Sequence, residues 1–144
     1  MRVAINAWFL NQTGTGSGQY LHALLRAFPA VAPDLEVLLV TAGGDAQTNL
    51  RVETQCHASR LFNTNLGKVL FEQVAFPRAC RRWGADLAHV PYWGSPLRPA
   101  VPTVVTVHDL IPLLLPAYRG GALVRLYTRL VRASAARAAV VLTD

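Results

Sequence analysis

The sequence has 144 residues, of which 52% are hydrophobic and only 15% are charged. This composition excludes a disordered chain and is typical of a single domain with a substantial buried core. The net charge of +6 comes almost entirely from arginine, with Lys68 as the one lysine, which suits a phosphate-bearing partner or a solvated basic face.

The cysteines and the apolar stretches exclude several classes of protein. Cys56 and Cys80 are isolated, without a CxxC pair or a histidine at metal-ligand spacing, so we expect reduced thiols, no metal site and no cofactor. The longest apolar region, residues 101–118, contains His108, Asp109 and two prolines and therefore does not suit a transmembrane helix. No signal-peptide cleavage pattern follows the first apolar residues. We therefore expect a cytoplasmic location.

The predicted elements alternate between strand and helix along the chain. In chain order we predict strand 2–7, helix 16–28 or 17–28, strands 35–41 and 50–56, helix 66–83, strands 86–90 and 102–107, helix 121–137 and strand 138–143. The first helix has one apolar stripe and is expected to end at Pro29. In the second helix Val69, Leu70 and Val74 form an apolar side, and Pro77 is a candidate break.

This alternation predicts an α/β fold with a doubly wound, Rossmann-like parallel sheet in the strand order 3-2-1-4-5-6, because crossovers between parallel strands are right-handed. The loops after strands 1, 4 and 5 should then meet at the point where the strand order reverses. That arrangement brings residues 14–18, residues 89–93 and the pair His108–Asp109 to one crevice.

His108 and Asp109 directly follow a near-continuous run of β-branched residues, 103–107, which is typical of a central parallel strand. Ligands bind at the carboxyl ends of such strands, so the position predicts a functional site. Alternatively, His108 hydrogen-bonds a loop and Asp109 caps a following turn. Local sequence leaves both interpretations open.

A glycine-rich loop, TGTGSGQY at residues 13–20, precedes the first helix. It lacks the third glycine of the dinucleotide motif, where Gln19 stands, and has no Gly-Lys-Ser/Thr. Gly16 and Gly18 nevertheless allow the backbone at a helix start to approach an anion such as a diphosphate. The alternative is a flexible lead into the helix with Ser17 as its N-cap.

Four segments carry a specific resemblance: TGSGQY at 15–20, FEQVAFPRACRRWGADLAHVPYWGSPL at 71–97, PTVVTVHDLIPLLLP at 102–116 and AAVVLTD at 138–144. Together they resemble the amino-terminal domain of family 4 glycosyltransferases, which are retaining enzymes of the GT-B fold. The resemblance covers essentially the whole chain. The family usually has Gly-Ile-Gly-Arg-Tyr in its first motif, so Ser17 and Gln19 depart from it and the arginine contact is missing.

The resemblance implies roles for particular residues. It implies that the backbone at Gly16 and Gly18 approaches the diphosphate of a nucleotide-sugar, and that His108 lines the sugar-transfer site. Asp109, Tyr92 and Trp93 are candidate contacts to a glycan or lipid-linked acceptor, with loop packing as the alternative for the two aromatic residues. No residue is assigned as a covalent nucleophile.

The resemblance also implies a second Rossmann-like domain that supplies most nucleotide contacts, and its sequence is absent here. We therefore expect an acceptor-side domain, incomplete at its carboxyl end and inactive alone. Its apolar strand 138–143 would lie at a sheet edge and favour self-association.

Two other classes stay open at this point. One is a non-catalytic ligand-binding α/β module. The other is a protein that binds an anionic surface, because Arg125, Arg129 and Arg132 fall at helical spacing and could contact lipid at the inner face of a membrane. A solvated outer face is the alternative for this stripe. No nucleic-acid-binding motif accompanies it, so we expect no nucleic-acid partner.

Overall fold

The computed structural model describes residues 1–43, 51–54, 64–118 and 120–143. Its strands form one parallel sheet in the order β3-β2-β1-β4-β5-β6, which confirms the predicted order. The strands are β1 (Arg2–Asn6), β2 (Glu36–Thr41), β3 (Arg51–Thr54), β4 (Leu87–Val90), β5 (Thr103–Val107) and β6 (Val140–Thr143). β1 lies between β2 and β4, so the strand order reverses beside it.

The helices cover both faces of this sheet, as a doubly wound fold requires. They are α1 (Gly16–Val31), α2 (Asn65–Leu70), a π-helical segment (Phe71–Ala75), α3 (Phe76–Trp83), α4 (Ile111–Leu114), a 3-10 turn (Pro116–Tyr118) and α5 (Ala122–Ala135). Among the described residues no helix is long and apolar enough to cross a membrane. Between β5 and α5 the sequence predicted only a turn after Asp109, and the structure adds α4 and the 3-10 turn there.

Both proline predictions are wrong in detail. α1 continues past Pro29 to Val31, and the Ala32 N–H closes its end on the Phe28 carbonyl at 2.8 Å. Pro29 lies in the last turn, so only two helical residues follow the backbone hydrogen bond that it removes. The second helix is not broken at Pro77 either, because the backbone stays helical from the π-helical segment through Phe76 into α3.

The core has one cluster on each face of the sheet. On one face, α1 packs Leu21 onto Ile5 and Leu39. On the other face, the π-helical segment and α3 pack Phe71 and Phe76 onto sheet residues that include Val40.

The edge of the sheet that carries β6 is less well covered, since Val140, Val141 and Leu142 are 40–49% exposed. The predicted apolar side of the second helix is wrong: Leu70 and Val74 are exposed. The buried side includes Glu72, Phe76, Ala79 and Trp83, together with Phe71 and Cys80.

Candidate functional site

His108 joins three elements at the carboxyl edge of the sheet. It follows β5 directly, and its Nε2 lies 3.1 Å from the carbonyl oxygen of Pro91, in the loop after β4. Its ring meets the ring of Tyr20 in an edge-to-face contact, with the centroids 4.9 Å apart. Tyr20 lies one turn into α1. The start of α1 and the loops after β4 and β5 therefore converge at His108, as the sequence predicted.

A cavity of about 510 Å³ opens beside His108. Its wall contains Trp93 from the loop after β4, Asp109 from the loop after β5 and Arg132 from α5. The remaining lining is largely apolar and consists of Val107, Leu110, Leu113, Ala135, Val141 and Thr143. An apolar lining with a few convergent polar groups is the usual character of a small-ligand site. Three predicted site residues, Trp93, His108 and Asp109, thus share one wall.

Asp109 has a local structural role as well as a place in this wall. Its Oδ1 accepts a hydrogen bond from the backbone N–H of Ile111 at 2.9 Å, at the start of α4. The side chain is exposed. Asp109 therefore caps the following turn and His108 hydrogen-bonds a loop, as the alternative interpretation predicted. Neither contact prevents these side chains from lining the cavity.

The glycine loop has a different cap from the one considered in the sequence. Thr15, not Ser17, is the N-cap of α1, and its Oγ1 accepts from the Gly18 N–H at 3.1 Å. Gly18 is buried, and a Cβ at this position would collide with the carbonyl oxygen of Gln12. The Gly18 N–H is thus already bonded, and its missing side chain serves packing. Gly16 is exposed, with nothing within 4 Å of an added Cβ.

The two adjacent aromatic residues have separate positions. Tyr92 is a core residue with 4% exposure, and its ring packs edge-to-face on Phe9 at a centroid distance of 4.9 Å. It does not line the cavity, so the structure gives it the packing role that was the alternative interpretation. Trp93 is half-buried and lines the cavity. Of the two, only Trp93 lines the cavity.

A family model described as Glycosyltransferase Family 4 matches residues 14–143. The chain belongs to glycosyltransferase family 4. The matched residues run from the glycine loop to the end of β6, and the doubly wound sheet agrees with the amino-terminal domain of a GT-B enzyme. No curated protein matches the chain.

The glycosyltransferase domain contains a buried ion pair that the sequence analysis missed. Glu72 is fully buried in the π-helical segment, and its Oε1 lies 3.7 Å from Lys68 Nζ. The Tyr127 hydroxyl of α5 donates to the same carboxylate, with oxygen separations of 2.9 and 3.2 Å. The Lys68 ammonium lies 5.1 to 5.2 Å from the ring centroids of Phe9, Tyr92 and Tyr127. Charge, ring faces and a hydroxyl thus connect α2, α5 and the loops after β1 and β4.

Burial dominates the electrostatics of this ion pair. Removal from water raises the pKa of Glu72 to about 7, although the Lys68 charge and the Tyr127 hydrogen bond act in the opposite direction. Burial likewise lowers the pKa of Lys68, while Glu72 raises it. The Tyr92 hydroxyl is also buried near Glu72 and Asn6 but makes no hydrogen bond of good geometry among the described residues.

His89 belongs to the sheet interior of the glycosyltransferase domain and not to the crevice. Its Nε2 lies 3.1 Å from the Thr106 hydroxyl oxygen on the neighbouring strand, and burial lowers its pKa to about 4. His89 is therefore neutral at pH 7.

Cys80 is buried in the core, whereas Cys56 lies outside the described residues. Within the described part of the chain, no group of three or more His, Cys, Asp or Glu could hold a metal ion.

Proposed function

We propose that this chain is the acceptor-side domain of a retaining hexosyltransferase, which moves a sugar from a nucleotide-sugar to a glycan or lipid-linked acceptor. The observation that carries the proposal is the convergence at His108 of the α1 start, the Trp93 wall and a cavity of about 510 Å³. We further propose that a second domain binds the nucleotide and completes the site from the opposite side.

The start of α1 is the proposed diphosphate contact. The first turn of a helix presents unpaired N–H groups and a partial positive charge, which favour an anion. Thr15 fixes this first turn by bonding Gly18, so Gly16 is the glycine we retain as a backbone donor. Tyr20, four residues further on, touches His108. A diphosphate at the α1 start would thus place the donor sugar near the imidazole.

His108 is the proposed polar contact at the reacting centre. A carbonyl oxygen only accepts, so the 3.1 Å separation from Pro91 assigns the proton to Nε2 and fixes the ring orientation. A fixed imidazole can hold a donor hydroxyl while the acceptor approaches. Asp109 is engaged by the Ile111 N–H, and we assign it acceptor binding, not covalent attack on the sugar.

The cavity wall is the proposed acceptor site. The half-exposed ring of Trp93 suits the face of a sugar, and the Asp109 carboxylate suits its hydroxyl groups. Arg132 adds a guanidinium to the same wall, which suits an anionic group such as the phosphate of a lipid-linked acceptor.

The test is sugar transfer by the full-length enzyme with uridine-, guanosine- and adenosine-diphosphate sugars. His108→Ala should lower kcat by about 100-fold, the usual cost of losing one polar group aimed at the transition state, while the protein still folds with a modestly lower Tm, because the Pro91 carbonyl loses its partner. His22→Ala is the matched control. His22 lies in α1, hydrogen-bonds the carbonyl oxygen of Leu10 and does not line the cavity. An unchanged kcat in His108→Ala would remove His108 from the site.

We also propose that the amino-terminal half of α5 contacts anionic lipid at the inner face of a membrane. Leu123 and Leu126 are 81% and 64% exposed on this helix, beside the exposed side chains of Arg125 and Arg129. Apolar and basic groups together on an exposed helix suit the lipid interface. Arg132, the third member of the predicted stripe, instead lines the cavity.

Co-sedimentation with liposomes tests the lipid contact. Removing both charges in Arg125→Ala/Arg129→Ala should weaken binding to anionic liposomes by about 30-fold, at about 1 kcal/mol per basic residue. Arg78→Ala/Arg81→Ala is the control, since both arginines are exposed on α3. Equal binding of the parent protein to anionic and neutral liposomes would end this proposal.

A further inference from the structure

The loop after β4 is held from several sides. We call residues 91–97 the Trp93 loop. Pro91 in this loop meets His108, and Arg137 Nη1 donates to the Leu97 carbonyl at 3.1 Å. Most of the loop is buried although it belongs to no strand or helix. Its backbone polar groups therefore need partners from elsewhere in the fold.

Gln73 of the π-helical segment supplies two of those partners. Its Oε1 accepts from the Leu97 N–H at 2.8 Å, and its Nε2 donates to the Ser95 carbonyl at 3.1 Å. One side-chain amide thus satisfies a donor and an acceptor of the loop together. This pairing requires both ends of the amide, which neither a carboxylate nor an apolar side chain can provide.

Glu72, the preceding residue, supports the loop next to Trp93. The Gly94 backbone lies directly against the Glu72 carboxylate, and a Cβ on Gly94 would collide with Glu72 Oε1 and crowd the Tyr92 ring at 2.6 Å. The carboxylate is itself fixed by Tyr127 and Lys68. Two successive side chains of one helical segment therefore face the same loop. The segment is π-helical, and such local widening is frequent at functional sites.

Stability alone does not account for a buried pair at this position. Well-packed apolar side chains often stabilise a protein as much as a buried ion pair does, because the ions lose their hydration. Lys68, Glu72 and Tyr127 instead connect the π-helical segment to α2 and α5, and α5 supplies Arg132 to the cavity. Charged groups with fixed hydrogen-bond partners restrict the relative position of the segments they join more strictly than apolar contacts do.

We propose that Gln73 and Glu72 are positioning residues that fix the Trp93 loop and so set where the Trp93 ring stands in the cavity wall. The position of Trp93 follows from contacts in this domain alone. The further claim that this position affects acceptor binding rests on the proposed function.

Fluorine NMR of the chain labelled with 5-fluorotryptophan tests the placement. The chain has three tryptophans, Trp8, Trp83 and Trp93, and the signals lost in Trp93→Phe and Trp83→Phe assign these two residues and, by difference, Trp8. Gln73→Leu should shift or broaden the Trp93 signal and leave the Trp83 signal unchanged, because Trp83 lies at the end of α3. Val74→Ala is the matched control, an exposed neighbour on the same segment, and should leave all three signals unchanged.

A second variant keeps the test decisive if Gln73→Leu does not fold. Tyr127→Phe removes only the hydroxyl that holds Glu72, and it should also move the Trp93 signal. An unmoved Trp93 signal in a folded Gln73→Leu or Tyr127→Phe variant would overturn the proposal.

Kinetics of the full-length enzyme separate the placement from its use. Gln73→Leu should raise KM for the acceptor about tenfold, the effect of losing roughly 1.4 kcal/mol of binding, with KM for the nucleotide-sugar unchanged. A moved Trp93 signal with both KM values unchanged would support the positioning role and overturn the acceptor role of the wall. A raised KM for the nucleotide-sugar alone would overturn the assignment of Trp93 to the acceptor.

Discussion

Replacing Glu72 with glutamine should change how the free energy of unfolding depends on pH. The pKa of Glu72 is about 7 in the folded protein, against 4.5 in an unfolded chain. Between these values the folded state holds a proton that the unfolded state has released. The resulting stabilisation is fully present below pH 4.5 and is lost as the pH rises through 7.

His89 has the opposite effect in the same pH range. Its pKa is about 4 in the folded protein, against 6.5 when unfolded. The unfolded state therefore binds the additional proton, and the stabilisation is fully present above pH 6.5 and is lost as the pH falls through 4. The two effects overlap between pH 4.5 and 6.5 and oppose each other there.

The size of each effect follows from proton linkage. One proton of difference between the states changes the free energy of unfolding by 1.36 kcal/mol per pH unit, or about 3 kcal/mol over the two overlapping units. In the parent protein the contributions of Glu72 and His89 nearly cancel. In Glu72→Gln only the His89 contribution remains, so its free energy of unfolding should rise by about 3 kcal/mol more between pH 4.5 and 6.5 than that of the parent.

Urea unfolding at half-unit pH steps measures this difference, because groups that do not interact with Glu72 contribute equally to the parent and the variant. Glu36→Gln is the control, since Glu36 is an exposed glutamate that pairs with Arg2 at 3.6 Å, and its curve should run nearly parallel to that of the parent. His89→Gln should give the reverse slope. Parallel pH curves for the parent and Glu72→Gln would refute the assignment of a protonated Glu72 in this range.

Three other predictions concern the chain itself. Gly18→Ala should lower the free energy of unfolding by roughly 2 kcal/mol through its collision with Gln12, whereas Gly16→Ala should change it by less than about 1 kcal/mol; equal Tm values would contradict this. The exposed β6 edge should cause self-association. Light scattering that shows a monomer at all protein concentrations would contradict this. The chain alone should show no transfer and bind nucleotide-sugars no tighter than about millimolar, since few donor contacts offset the entropy of association; a micromolar constant by calorimetry would place the main donor site here.

The strand order was predictable because it depends on few features. Apolar runs identified the strands, and right-handed crossovers then limited the possible orders, of which 3-2-1-4-5-6 is the usual one for two mononucleotide-binding halves. The observed bounds of the strands differ from the predicted ones by at most two residues, apart from β3, whose predicted ends at 50 and 56 lie outside the described residues. The proline predictions failed because the effect of a proline depends on the backbone around it. Pro29 lies in the last turn of α1, and Pro77 directly follows a π-helical segment whose backbone continues into α3.

The site was predictable where strand ends determine it. His108 and Asp109 had to stand at the carboxyl edge once β5 was identified, and both do. Tyr92 and Trp93 could not be told apart in the same way. They are adjacent residues of the same aromatic type after one strand, and successive side chains in extended backbone point to opposite sides. The backbone conformation of the loop decides which of the two side chains faces which side, and here Tyr92 faces the core and Trp93 the cavity.

Glu72 shows which part of such a site a sequence can indicate and which part it cannot. Glu72 stands four residues before Phe76, seven before Ala79 and eleven before Trp83, so helical spacing puts it on the stripe that is buried. A carboxylate is almost never fully buried unless it is paired, and that contradiction indicates a partner. Lys68, at i−4, is a partner that sequence spacing supplies. Tyr127 is 55 residues away, and no local pattern connects it to Glu72. Its contact exists only because α5 packs on the same face of the sheet as the π-helical segment. The half of the arrangement that ties the segment to α5 therefore depends on the tertiary fold.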